Sequence, residues 1–296
     1  MALFEKKPPC PICGGKISWL LPTKIEGEYI CNECSSKLDM EAGIRSQLTM
    51  QGLHAYMAFY EDNQALKANF VVSEKLDFGF FDTKLIFDLE HNLFCLSGNL
   101  DKTVFEGQAL RSFRILEDNT TILQGSKQGL VRHVSTVPER VAAMAPQFQM
   151  MVAARRMAIQ MERMANNDNR QSYRPPMDIS EPFREFRVEL NFEHPYWTVF
   201  QYDMSGPTFN NDYPNAADYL REYHRGVEVM EQLASLLMKV AFPGAGEITA
   251  AGASASIHAP SAERTADDIM KFKSLLDAGI ITQAEFDLKK KQLLGI

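Results

Sequence analysis

The chain has 296 residues, 45% apolar and 23% charged, close to globular averages; wholesale disorder, a collagen-like repeat and a disulfide-dense mini-protein are excluded, and about two compact units plus connectors are expected. The net charge is −7 and no segment is strongly basic, which disfavours a dedicated nucleic-acid binder, because duplex affinity draws on Lys and Arg that displace counterions. No apolar run approaches the roughly 20 residues of a membrane span, and the opening Met-Ala-Leu-Phe-Glu-Lys-Lys lacks the apolar stretch of a signal peptide, so the sequence reads as cytoplasmic and peripheral to a membrane at most.

Cys10-Pro11-Ile12-Cys13 and Cys31-Asn32-Glu33-Cys34 are seventeen residues apart, a C-x2-C-x17-C-x2-C pattern. Each pair can form a knuckle aiming two sulfurs at one centre, with Gly14-Gly15 freeing the backbone to turn. Four thiolates suit tetrahedral Zn²⁺ and leave no position for an activated water, so residues 1–50 read as a zinc-binding domain whose metal serves structure. Two redox dithiols, a pair of disulfides or an iron centre on the same sulfurs are the competing readings. The fifth cysteine, Cys95, lies in Leu93-Phe94-Cys95-Leu96 and reads as a core position.

Residues from about Lys37 to Lys67 mix helix formers with Gly43 and Gly52 and predict two short helices, residues 51–68 connecting the zinc domain to the middle of the chain. From Asn69 short apolar segments predict strands at Asn69–Ser73, Lys84–Glu90, Leu93–Ser97, Ala109–Glu117 and Thr120–Gln124, with hairpin turns at Glu90-His91-Asn92 and Glu117-Asp118-Asn119. Alternation of Phe186, Val188, Leu190 and Phe192 with polar neighbours predicts a strand with one buried face, and Trp197–Asp203 its return. A long helix then opens near Pro214, with Leu220, Tyr223, Val227, Met230, Ala234 and Leu237 on one stripe.

Between these halves lies an insertion, about 138–182, with a helix over 138–166 that carries Met144, Met150, Met151, Met157, Met161 and Met164. Its apolar stripe predicts an intramolecular or self-association face; partner binding, or a membrane contact aided by Arg155, Arg156 and Arg163, is the alternative. About seven strands closed by one helix resemble, in element order, the pleckstrin-homology or GRAM-like fold, so residues 69–242 are assigned as such a domain. The fold class is thus α+β and multidomain.

Residues 243–262, rich in Gly, Ala and Ser, read as a flexible linker, and 263–296 as a helical hairpin. Its apolar positions, Ile269, Phe272, Leu275, Leu276, Phe286, Leu293 and Leu294, are the candidate partner-binding residues. Leu275-Leu276-Asp277-Ala278-Gly279-Ile280-Ile281-Thr282, Glu285-Phe286 and Lys289-Lys290-Lys291 resemble the SHOCT domain, a short C-terminal module of bacterial proteins. Met1 to Met50, with Leu3-Phe4-Glu5-Lys6-Lys7 and Cys10, Cys13, Cys31 and Cys34, is similar to a zinc-ribbon-like domain of unknown function carried by such proteins, and Glu61-Asp62-Asn63 resembles their middle region more weakly. The resemblance implies oligomerisation or macromolecular interaction and brings no catalytic residues. His54, His91, His133, His194, His224 and His258 form no compact ligand pattern, and neither a Gly-x-Ser-x-Gly elbow nor a phosphate loop is present. The expectation is a non-catalytic, zinc-containing interaction protein that self-associates or binds proteins. Nucleic-acid binding and peripheral membrane recognition are the alternatives, and no small-molecule substrate is identified.

Overall fold

The computed structural model describes residues 8–77, 84–165 and 176–248. The chain divides into two units, Met1–Glu247 and Ile248–Ile296. The seven candidate partner-binding residues and the expected helical hairpin lie outside the described residues, as does most of the linker.

The first unit begins with a hairpin of β1 (Thr23–Ile25) and β2 (Glu28–Ile30), in which Lys24 sits opposite Tyr29. Glu26 and Gly27 both take positive φ, 47° and 95°, the backbone a two-residue turn needs to match the strand twist. Then come α1 (Asn32–Ser36), α2 (Ala42–Ser46) and α3 (Met50–Ala68). The two helices predicted between Lys37 and Lys67 are therefore unequal, five and nineteen residues. Gly52 does not break α3 because it falls in the first turn, where its N–H donates to the N-cap Thr49 Oγ1 at 3.0 Å.

A four-stranded antiparallel sheet comes next, in the order β3 (Glu74–Asp77), β4 (Lys84–Asp88), β5 (Leu93–Cys95) and β6 (Val104–Glu106). The strand predicted at Asn69–Ser73 is not there. That segment is held by single bonds, Val71 N–H to Asp88 Oδ2 at 2.9 Å and Ser73 N–H to Phe87 O at 2.8 Å, and pairing starts only at Glu74.

The second sheet contains β7 (Leu110–Glu117), β8 (Thr120–Ser126), β9 (Gly129–Arg132), β10 (Glu185–His194), β11 (Trp197–Ser205) and β12 (Glu247–Ile248), in the order β11-β10-β7-β8-β9-β12. The neighbours from β11 to β9 pair antiparallel. β10 alternates buried and half-buried residues along most of its length, with Phe186, Val188, Leu190 and Phe192 all inward, as the sequence pattern predicts. Among the described residues nine strands, β3 to β11, precede the long helix rather than about seven.

Helix α4 (Val137–Ala165) leaves the second sheet after β9, and α5 (Ala216–Ala241) returns across both sheets. Asn215 caps α5, its Oδ1 accepting from Ala217 N–H at 2.8 Å. The predicted stripe faces inward: Tyr223, Met230, Ala234 and Leu237 are buried, with Leu220 and Val227 half-buried at its edge. The main core gathers this face with Phe87, Phe94, Phe105, Phe113 and Phe192, whose burial supplies the largest favourable contribution to folding. The architecture is mixed α+β.

Candidate metal centre

The first knuckle is shaped by backbone bonds around a left-handed glycine. Cys10 N–H donates to Gly15 O and Gly14 N–H to Cys10 O, both at 2.8 Å, while Gly14 takes φ 69°. In the second knuckle Cys31 is the N-cap of α1, and its Sγ accepts from Cys34 N–H at 3.4 Å. The β1–β2 hairpin folds one pair over the other, so that Cys31 N–H donates to Cys10 Sγ at 3.4 Å. Ile25, Ile30, Leu38, Leu53 and Tyr56 form one buried cluster with Cys10, Cys31 and Cys34.

The four Sγ atoms lie within 4.8 Å of one another, with Cys10 to Cys34 at 3.9 Å and Cys13 to Cys31 at 3.4 Å. A zinc ion with bonds of about 2.3 Å would sit in a sulfur tetrahedron with edges of about 3.8 Å. Disulfide sulfurs would stand at about 2.05 Å, and all five cysteines are free. Cys10, Cys31 and Cys34 are buried and Cys13 is exposed at the rim.

The electrostatics also fit a cation. Burial raises the Cys10 thiol, but the N–H groups of Cys31, Cys13 and Ile12 outweigh it and bring the pKa to about 6. Cys31 and Cys34 are pushed up by burial and by bonds to neighbouring thiols. Four sulfurs this close cannot all ionise by themselves; a bound divalent cation supplies the charge that lets them. Such an ion would be held by Cys10, Cys13, Cys31 and Cys34, and four protein ligands would close its coordination shell. This is the only cluster of three or more candidate metal ligands among the described residues. Cys95 is fully buried in the sheet and its thiol is raised to about 11 by that burial, in keeping with a core position.

Sequence reasoning missed how the centre is wired to the sheets. Tyr56 on α3 donates its hydroxyl to Lys37 O at 2.8 Å and accepts from Asp39 N–H at 2.7 Å. Asp39 Oδ2 accepts from Thr103 N–H at 2.6 Å, and its carbonyl accepts from Trp197 Nε1 at 3.2 Å. Glu41 Oε2 accepts from the Thr198 hydroxyl at 2.5 Å and from Thr198 N–H at 2.9 Å; these bonds hold its carboxyl below the usual range. The contacts from Asp39 and Glu41 to the sheets each span at least 60 or so positions of chain, and nothing local marks them.

Comparison with known families agrees at both ends. Residues 8–56 match the family model described as a domain of unknown function (DUF4428), and residues 267–294 match that of the short C-terminal domain, SHOCT. No curated protein and no solved structure matches the chain. Among the described residues, no helix is long and apolar enough to cross a membrane.

Proposed function

We propose that this chain is a non-catalytic cytoplasmic interaction protein in which a zinc ion held by Cys10, Cys13, Cys31 and Cys34 rigidifies one end, and which self-associates or binds other proteins. A pleckstrin-homology or GRAM-like core is supported by α5 packing across the two sheets, and a helical hairpin in the tail by its amphipathic sequence.

The observation that carries this reading is the open face of α4. Met150, Met157, Met161 and Met164 are 68%, 63%, 71% and 76% exposed. Together with exposed Gln147 and Ala154 they occupy alternating steps of three and four, the seam of a two-helix coiled coil, and the flanking positions Met151, Ala153, Ala158 and Gln160 carry no charge. Met144 and Met151 pack on the core instead. An antiparallel second copy would set the small Ala154 opposite Met157, the large-against-small arrangement that packs well. In the tail, Ile269, Phe272, Leu275, Leu276, Phe286, Leu293 and Leu294 belong to a segment too short to bury its own apolar face, which favours docking on a partner.

Light scattering on the full chain tests this. The mass should exceed that of a monomer and fall in Met157→Asp/Met161→Asp or in Leu275→Asp/Leu276→Asp. A monomer at every accessible concentration that also recovers no protein from its native extract would defeat the proposal.

A further inference from the structure

The loop that enters β1 presents three consecutive apolar residues to solvent: Trp19 is 85% exposed, Leu20 58% and Leu21 89%. Its backbone turns through local bonds. Ser18 Oγ accepts from Leu20 N–H at 3.2 Å and donates to Leu20 O at 3.1 Å, while Leu21 takes φ 46°, a left-handed backbone that a leucine rarely adopts. Beneath the tip Ile17 packs against the cysteine cluster, so the loop is anchored on the metal-centre core and its neighbours are turned outward.

Basic and aromatic groups bracket that tip. Lys16 and Lys24 flank it in the chain and are exposed, and Lys24 Nζ lies 5.5 Å over the Tyr29 ring. The acids of the hairpin sit at its other end: Glu26 is in the distal turn, its carboxylate accepting from Met50 N–H at 2.8 Å, and Glu28 starts the return strand there.

We infer that Trp19, Leu20 and Leu21 form a wedge that enters the surface of an anionic lipid bilayer, with Lys16 and Lys24 meeting the headgroup phosphates. Indole favours the boundary between headgroup and acyl chain, where its ring is apolar and its N–H wet. Lysines close to an anionic leaflet add attraction that falls away within a Debye length. A protein partner suits this shape less well. Three exposed side chains offer roughly half of the about 800 Å² per side that a stable protein interface buries, whereas a bilayer can take up so small an apolar group. The inference is independent of self-association through α4 or the tail.

Sedimentation of the zinc-loaded full chain with phosphatidylcholine vesicles, with and without phosphatidylserine, tests it. Binding should require the anionic lipid, weaken with salt, and quench Trp fluorescence when the acyl chains are brominated. Trp19→Ser/Leu21→Ser should retain full zinc content and lose about a hundredfold in partitioning, since each of the two apolar side chains withdrawn from lipid removes about tenfold. Lys16→Glu/Lys24→Glu should abolish the preference for anionic vesicles. Absence of sedimentation at low salt overturns the inference, and so does binding that the Trp19/Leu21 variant leaves unchanged, including binding to a protein alone.

Discussion

Asn63, on α3, pairs with Val104, on the edge strand β6, through two hydrogen bonds: its Nδ2 donates to Val104 O at 2.7 Å and its Oδ1 accepts from Val104 N–H at 3.0 Å. A single buried side-chain amide therefore does for β6 what a fifth strand would do, closing one edge of the four-stranded sheet. Asn63→Ala leaves both groups of Val104 unpaired in a dry site and should cost about 2–4 kcal/mol. Asn63→Asp keeps the acceptor and loses the donor, so it should also destabilise. Urea unfolding of the three proteins side by side checks this; a loss below about 0.5 kcal/mol for the alanine variant would mean that β6 is satisfied by other means.

The metal centre should stabilise the segment from Cys10 to Tyr56 first. Ile25, Ile30, Leu53 and Tyr56 share one buried cluster with Cys10, Cys31 and Cys34, so withdrawing a bound ion would leave buried thiols with no shared charge and a small core without its centre. Cys13→Ser should reduce metal content below one ion per chain, and chelation should abolish amide protection in β1, β2 and α1 before it touches β7 or β10. Binding should weaken as pH falls, since the ligands must shed protons to coordinate. Hydrogen exchange with and without chelator, beside metal analysis, reads both outcomes.

The knuckles were legible because their chemistry is local: four sulfurs at that spacing need only two turns and a hairpin to meet. β10 was legible for the same reason, since Phe186 to Phe192 alternate within one strand. β6 and β9 escaped because three or four residues, such as Val104–Glu106, are too few to show a period. Nothing in the sequence singles out Trp19-Leu20-Leu21, and only the fold shows that the turn at Ser18 and the left-handed Leu21 put it outside. The methionine stripe shows the same limit. Periodicity gives one face of α4, while what that face meets depends on where the helix sits, with Phe148 against Phe209 and the seam left open.

Two histidines should make stability depend on pH in opposite senses. His91 Nδ1 lies 2.8 Å from Asp88 Oδ2, and this bond raises its pKa above 6.5. Its contribution is full below pH 6.5 and is lost as pH rises through the higher folded value. His194 is packed edge-on to Phe59 and Phe105, with Nδ1 accepting from Tyr196 N–H at 3.2 Å, and burial lowers its pKa. Its contribution is present above pH 6.5 and is lost as pH falls through the lower folded value. Ring titrations by NMR should place the midpoint of His91 above that of His194, and Asp88→Asn should lower the His91 midpoint alone. Coincident midpoints in the wild-type chain would contradict at least one of the two assignments.

Gly107 offers the sharpest test of how α5 seats on the sheets. It lies in the short 3-10 turn between β6 and β7, its N–H donating to Asn92 O at 2.7 Å, and a Cβ there would stand 2.0 Å from Val240 O and 2.7 Å from Val240 C. Those are backbone atoms of the last turn of α5, so no rotamer change relieves the clash; the helix end or the turn must move. Gly125 is confined differently, its Cβ meeting the Phe113 ring at 2.2 Å and Met238 Sδ at 2.9 Å, where side chains can yield in part. Gly107→Ala should therefore cost more than Gly125→Ala, about 3 kcal/mol or more against about 1–3 kcal/mol. Denaturant midpoints read the order directly. If the two variants ranked the other way, the close approach of Val240 to Gly107 would not be the contact that fixes the C-terminal end of α5.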